Sequence, residues 1–306
     1  MIHLRLIVPI DRTDQVLEHL ADLPGVAHLV RLPAAALKPP GDVVLCDVVR
    51  EAANDVVEWL QSIEVHHRGS ITIESADSVV SDAAEVAEAA APGEGADALV
   101  WEDLEARARA EATTSTSYLV MMAVAAVIAL AGILLDSPIL LVGAMAVGPD
   151  YGPVAASCVA LARRRWSTAG RSVGSLAIGL GVAATASLIA AVVFKATGLA
   201  PDTYVSDRQL TAFISRPDGM AAVVAVFAGI AGMVALTQSR VGALVGVLVS
   251  VTTIPAAANV GAAAAYAEWS DLGGAALQLA INVLGLTVAG VVTLQVLAAS
   301  TVRRGA

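Results

Sequence analysis

Six apolar segments follow one another in the second part of this chain, each close to the roughly 20 residues that an α-helix needs to cross a bilayer. They are about 117–135, 138–162, 168–194, 219–237, 241–267 and 272–300. Of the 306 residues, 57% are hydrophobic and only 15% are charged, and the mean hydropathy is +0.74. These values are typical of polytopic membrane proteins. We therefore expect residues 117–306 to form a six-span α-helical domain within a lipid bilayer.

The charges separate this membrane part from an acidic front part. Residues 1–116 hold 21 Asp and Glu against 8 Lys and Arg, whereas residues 117–306 hold 7 against 10. The front part is thus predicted to be soluble. Its negative charge argues against nucleic acid or anionic lipid headgroups as partners of that face, because like charges repel each other.

Residues 1–80 show the hydrophobic patterns of a small α+β domain. The pattern predicts strands at His3–Val8, Val26–Leu32, Val43–Val49 and Ser70–Ser75, with helices around 16–23 and 56–63. Asp11 is predicted to cap the first helix. The order βαββαβ is that of the ferredoxin-like split unit, an antiparallel sheet with two helices on one face. Many regulatory modules share it, so a small ligand on this domain is an expectation by analogy.

A linker and an amphipathic helix are expected between the two domains, over residues 81–116. Residues 76–98 are rich in Ala, Glu, Asp, Gly and Ser and are interpreted as a linker. Residues 99–112 place Leu99, Val100 and Leu104 on one side of a helix, with charged residues on the others. This helix either transmits movement between the domains or is only a spacer that lies on neighbouring subunits.

Basic residues predict the orientation of the spans. They follow the second, fourth and sixth spans, on the side of the N-terminal domain: Arg163, Arg164, Arg165, Arg171, Arg240, Arg303 and Arg304. Basic residues accumulate on the cytoplasmic side of membrane proteins. We therefore expect both termini to be cytoplasmic.

One span is interrupted at its middle. The segment Leu140–Leu161 reads LLVGAMAVGPDYGPVAASCVAL, and its interruption consists of Gly148, Pro149, Asp150, Tyr151, Gly152 and Pro153. Proline and glycine remove or weaken helical hydrogen bonds where no water replaces them, and a carboxylate is costly there unless it faces a cavity or a partner. These six residues are predicted to form a binding site. The alternative is a kinked helix in which Asp150 snorkels to one face.

An internal repeat relates the two halves of the membrane part. A shift of 103 residues aligns Trp166-Ser167 with Trp269-Ser270 and Leu141-Val142-Gly143 with Leu244-Val245-Gly246. Each repeat, about 117–196 and 219–300, contains three spans, so the second must enter from the opposite side. Inverted repeats of this kind build transporter sites from discontinuous helices in matching positions.

The same shift predicts a second half of the site. It places Asp150 on Thr253 and Gly152 on Pro255, so that a second broken span is expected around Pro255. Further candidate site residues with polar side chains are Thr252, Asn259 and Asn282, with Gln278 near the last. Alternatively, Asn282 and Gln278 only form hydrogen bonds between helices.

Three stretches are similar to a known family. They are DSPILLVGAMAVGPDYGP, GALVGVLVSVTTIPAAANVG and LQLAINVLGLTVAG, and together they resemble the bacterial membrane family called domain of unknown function 389 over roughly 117–300. The resemblance is most specific at Ser137-Pro138, Gly143-Ala144-Met145 and Gly152-Pro153, while Asp150 and Tyr151 stand where the family usually has apolar residues. It implies a membrane protein but no established activity.

Two functions are consistent with the residues. The first is a transporter or channel-like protein for a small solute or ion, regulated by its cytoplasmic domain and assembled as a homo-oligomer, a dimer or trimer. The second is a membrane-anchored ligand sensor whose spans mainly assemble it. They differ in whether the polar groups of the spans face a wet cavity or a packed interior. No cofactor or metal is predicted and an enzyme is not expected, because no nucleophile–base pair, metal-ligand cluster or phosphate loop stands out.

Overall fold

The computed structural model describes residues 1–76, 79–90, 100–200, 204, 210–211, 214–216, 218–237 and 242–304, without the side chains of 107, 110–111, 242–252 and 300–304. The chain divides into two compact units. The first comprises Met1–Leu104 with the residues from Val296 onward, and the second comprises Glu105–Gln295.

The first unit is built on a four-stranded antiparallel sheet. Its strands are β1 (Ile2–Val8), β2 (Val26–Leu37), β3 (Pro40–Val48) and β4 (Ser70–Ser75), in the spatial order β2-β3-β1-β4. Helix α1 (Thr13–Asp22) follows β1, and helix α2 (Arg50–Ser62) follows β3. This is the predicted βαββαβ split arrangement, in which each strand–helix–strand unit encloses one strand of the other.

Alternation along β1 explains its place at the centre of the sheet. Ile2, Leu4, Leu6 and Val8 are fully buried, and they pack in one cluster with Leu20 of α1 and Leu60 of α2. Because successive side chains of a strand point to opposite faces, one face of β1 is apolar and lies under both helices.

Asp11 does not cap α1, contrary to the sequence prediction. A short 3-10 turn, Ile10–Arg12, precedes the helix, and the Asp11 carboxylate instead accepts two hydrogen bonds of 2.8 Å from the guanidinium of Arg68. Arg68 ends an unpredicted helix, α3 (Val65–Arg68), just before β4. The hydrogen bond from Arg68 is the main reason that the pKa of Asp11 lies below its usual value.

Part of the predicted linker is helical. Helix α4 (Asp82–Ala90) buries Ala84 and Ala87, and Ala87 packs in a cluster with Ala27 and Val49. Alanine and glutamate are good helix formers, which is why a segment with a linker-like composition forms a helix here. Residues 77–78 and 91–99 of that prediction lie outside the described residues. Val100 also joins the core of the sheet, beyond the predicted domain boundary at residue 80.

The remaining helices are mostly apolar, apart from the first, which is charged. They are α5 (Trp101–Glu111), α6 (Thr116–Leu134), α7 (Pro138–Val147), α8 (Tyr151–Ala162), α9 (Trp166–Ala196), α10 (Gly219–Thr237), α11 (Gly242–Ala265) and α12 (Trp269–Arg304). In the described part of the chain, four helices are long and apolar enough to cross a membrane: α6, α9, α10 and residues 269–299 of α12. The pair α7 and α8 makes a fifth candidate if it is one broken span. The predicted span 241–267 corresponds to α11, of which the side chains of 242–252 are not described.

Candidate functional site

The predicted break in the second apolar segment is present. Helix α7 ends at Val147 and α8 begins at Tyr151, with a bend of 60° between them. Gly148 has an extended backbone with φ −70° and ψ 124°. Proline disfavours the helical conformation in the residue before it, and Pro149 has no N–H to continue the helix. The Gly148-Pro149 pair therefore ends α7.

Asp150 lies at the start of α8 and is fully buried. Its side chain does not cap the helix; its Oδ2 accepts a hydrogen bond from Oγ1 of Thr253, on α11. A snorkelling side chain would expose its carboxylate, whereas that of Asp150 is enclosed by protein. The structure thus joins the two residues that the shift of 103 aligned.

Neighbouring residues fix the start of α8. The hydroxyl of Tyr151 donates to the carbonyl of Gly232 on α10, at 3.0 Å. A Cβ at Gly148 would lie only 2.7 Å from Cγ1 of Ile254, so the absence of a side chain allows the break to pack closely against α11. Gly152 and Pro153 are buried in the first turn of α8, where a proline without N–H is tolerated. All six predicted residues of the interruption therefore lie at this helix start.

The second break predicted around Pro255 is wrong. Helix α11 runs without interruption from Gly242 to Ala265, with Pro255 inside it. Under the shift of 103, the proline that ends α7 falls on Thr252, which keeps its backbone N–H, and Gly148 falls on Val251. The second half therefore lacks the Gly-Pro pair that breaks the first. The side chain of Thr252 lies outside the described residues.

The other predicted polar site residues, Asn259 and Asn282, form hydrogen bonds with residues other than Asp150 and Thr253. Asn259 is fully buried on α11, and its Oδ1 accepts a hydrogen bond from the hydroxyl of Tyr204. On α12, Nε2 of Gln278 donates to Oδ1 of Asn282 at 3.1 Å, so this bond lies within one helix and not between helices. Both side chains are buried, and Oε1 of Gln278 has no hydrogen-bond partner among the described residues.

Two buried residues whose hydroxyls donate hydrogen bonds to α11 were not identified from the sequence. Tyr204 comes from the segment after α9, and Ser187 of α9 donates from its buried Oγ to the carbonyl of Ala258 at 2.6 Å. Ser187 stands in a largely apolar run, and its acceptor is a backbone group 71 residues away. No local pattern identifies such a partner.

The turns after α8 and α11 have the same hydrogen bonds at positions 103 residues apart. Arg165 N donates to Ala160 O at 2.8 Å, and Glu268 N donates to Ala263 O at 2.9 Å. Arg164 and Ala267, at equivalent positions, have left-handed φ angles of 56° and 58°.

Close helix contacts follow the same correspondence. A Cβ at Gly290 would lie 2.8 Å from Sγ of Cys158, and a Cβ at Gly261 would lie 2.9 Å from Cβ of Ser187. Under the shift of 103, Cys158 corresponds to Gly261 and Ser187 to Gly290, so the two contacts are equivalent.

The first unit has a separate polar cluster around Asp47. Its two carboxylate oxygens bind Nδ1 of His3 at 2.7 Å and Nδ1 of His28 at 2.6 Å. Burial raises the pKa of Asp47, but the hydrogen bonds from His28 and His3 outweigh it, and the net pKa lies below the usual value. Within the described ranges, no group of three or more His, Cys, Asp or Glu could hold a metal ion.

Comparison with known families gives a match that lies within the second unit. Residues 145–288 match the family described as Domain of unknown function (DUF389). The matched region includes the break before α8, all of α9 to α11 and most of α12. Comparisons with curated proteins and with solved structures found no match. The resemblance inferred from the sequence is confirmed over this region, because residues 145–288 match the model of this family.

Proposed function

We propose that this chain is a membrane transporter or channel-like protein for a small solute or ion, with its site at Asp150 and Thr253. The observation that carries the proposal is a fully buried carboxylate at a helix break between apolar helices. A charged side chain inside a membrane costs at least about 2.5 kcal/mol on insertion scales. Anchoring a protein in the membrane does not require such a charge, so a buried carboxylate indicates a function beyond anchoring.

The site belongs to an inverted repeat in this proposal. Asp150 and Thr253 are separated by the repeat interval of 103 residues and hydrogen-bond to each other. Two equivalent residues can touch only close to the axis that relates their repeats. The equivalent turns after α8 and α11, and the equivalent contacts at Gly261 and Gly290, support the same relation. The sixth span of this arrangement is α11.

The break between α7 and α8 supplies polar backbone groups to the proposed site. Helix ends inside a membrane present backbone groups that have no partner within the helix, and transporters use them to bind ions and solutes. Beside them, Asp150 can bind a cation when ionised or carry a proton when neutral. Thr253 supplies a hydroxyl that can hydrogen-bond to either state.

Asp150 and Thr253 are both fully buried, so the proposed site would be closed in this conformation. Transport therefore requires the helices around the break to separate. The same burial favours the second function, a membrane-anchored sensor with a packed interior, because the polar groups then serve only to hold helices together.

Flux in liposomes separates the two functions. Purified protein would be reconstituted with the pH dye pyranine and a potassium salt inside, and proton entry would be followed under an imposed potassium diffusion potential, in external sodium or choline salts. We expect flux above that of empty liposomes, its loss in Asp150→Asn, and no change in the control Asp271→Asn. Absence of flux that depends on Asp150 would reject a coupling role for this carboxylate and favour the sensor.

We further propose a bacterial inner-membrane location with both termini cytoplasmic, and assembly as a homo-oligomer regulated by the sheet domain. Leu199 follows α9 and Arg164 follows α8, and both are exposed. In intact cells, an impermeant thiol reagent should label Leu199→Cys and spare Arg164→Cys. The opposite pattern would reverse the orientation, and cross-linking of the purified protein tests the oligomer.

A further inference from the structure

A basic pocket lies in the second unit, at the end of the helices where α8 stops and α9 begins. Its volume is about 350 Å³, and its walls include Arg109 of α5, Arg165 before α9 and Arg171 of α9. The hydroxyls of Thr168 and Ser175 also line it. A space of this size suits a small ligand or the headgroup of a lipid, not a protein segment.

The charge inside this pocket is not balanced. Among the side chains that the structure describes, Glu105 is the one carboxylate that lines it. This group binds Arg165, and it lies 3.3 Å from Arg163 Nε and 3.7 Å from Arg109 Nη2. Arg171 has no hydrogen bond or ion pair within the described part of the chain. The described side chains of the pocket thus carry an excess of positive charge, although residues 1–116, which supply Arg109, are acidic as a whole.

We propose that this pocket binds a phosphate-bearing anion. Guanidinium groups present parallel N–H donors that match phosphate oxygens, and hydroxyls add further donors. Arg109, Arg165 and Arg171 provide the guanidinium groups in the pocket lining, and Thr168 and Ser175 provide the hydroxyls. The ligand is either a soluble phosphoanion or the headgroup of an anionic phospholipid, since both carry the same group.

The position of the pocket gives this ligand a regulatory role. Helix α8 begins beside Asp150 and ends beside the pocket, where Val159 and Ala160 line the wall. A bound anion would tie the segment 109–114 to the end of α8 and to the first turns of α9. It would thereby restrain the helix that starts at the proposed transport site.

The first test uses inorganic pyrophosphate and the full-length protein in phosphatidylcholine nanodiscs, with binding measured by calorimetry at constant ionic strength. Saturable binding is expected, weakened about tenfold or more in Arg171→Gln, because a charge-assisted hydrogen bond is lost. Arg164→Gln is the matched control: Arg164 is exposed and close in sequence but does not line the pocket. Thermal unfolding of each variant checks that it remains folded.

The second test uses lipid. Protein from nanodiscs of mixed phosphatidylcholine and phosphatidylglycerol would be examined by native mass spectrometry for retained phosphatidylglycerol. Retention lost in Arg171→Gln but kept in Arg164→Gln identifies a lipid headgroup as the ligand, whereas binding of pyrophosphate alone identifies a soluble phosphoanion. If wild-type protein binds neither probe saturably, or if both variants lose binding equally, the proposal is wrong. Neither measurement depends on transport activity.

Discussion

At Pro149 the chain leaves α7 and begins α8 at an angle of 60°, whereas at Pro255 helix α11 continues without a break. Both prolines lie in apolar segments that the repeat aligns within three residues of each other. The residue before the proline differs: it is Gly148 in the first case and Ile254 in the second. Gly148 adopts an extended conformation and packs without a side chain against Ile254, so one residue contributes to both the break and the contact across it.

In the proposed inverted repeat, the two halves therefore contribute different groups where Asp150 meets Thr253. The broken half supplies the carboxylate of Asp150 and the helix ends, and the continuous half supplies the hydroxyl of Thr253 on a regular helix. An interior proline costs roughly 3 kcal/mol in a helix, yet α11 contains one because its remaining hydrogen bonds and packing hold it together.

The largest effect is expected from Thr252→Pro, which places a proline at the position equivalent to Pro149. It removes a backbone N–H from the middle of α11 and should lower the free energy of unfolding by about 3 kcal/mol or more. Unfolding by SDS in mixed micelles measures this, with Thr252→Ala as a control that keeps the N–H. A loss below about 1 kcal/mol would mean that α11 is as easily broken as the first half.

A smaller loss is expected from Thr253→Val, which keeps the shape of the side chain and removes its donor. The buried carboxylate of Asp150 would lose one hydrogen bond, at a cost of about 2 kcal/mol in the same unfolding assay. Thr253→Ser retains the hydroxyl and should lose less. If Thr253→Val were as stable as wild type, the bond would not hold the two halves together.

Gly148→Ala tests the close approach at the break. The new Cβ would lie 2.7 Å from Ile254, which is fully buried and has little space to move, so a loss of about 1 kcal/mol is expected. Gly143→Ala is the matched control, because Gly143 lies inside α7 with nothing within 4 Å of a Cβ. That control should stabilise the helix slightly. Equal effects of both substitutions would contradict the packing argument.

Local patterns predicted the break, the four strands and the apolar helices, because each depends on residues close together in sequence. The repeat aligned Asp150 with Thr253 but did not predict the hydrogen bond between them. The bond from Tyr151 to the carbonyl of Gly232 could not be predicted either, since every residue has such a carbonyl. A break in α11 was wrongly predicted because Pro255 was considered without the residue before it, which is Ile254 and not a glycine. Helix α4 was missed because alanine and glutamate are common in linkers and helices alike.

The smallest effect is expected at the turns, where the two halves agree. Arg164 and Ala267 both have left-handed φ angles near 57°, a conformation that strains any residue with a Cβ and that glycine adopts freely. Arg164→Gly and Ala267→Gly should therefore each raise the free energy of unfolding by about 0.5–1 kcal/mol, offset in part by the greater freedom of glycine in the unfolded chain. Because the surrounding hydrogen bonds are equivalent, the two gains should be similar, and the double variant should show their sum. The unfolding assay in mixed micelles can measure all three. A gain at one turn with a loss at the other would show that equivalent geometry does not mean equivalent energy, and it would weaken the repeat as a guide to the pairing of Asp150 with Thr253.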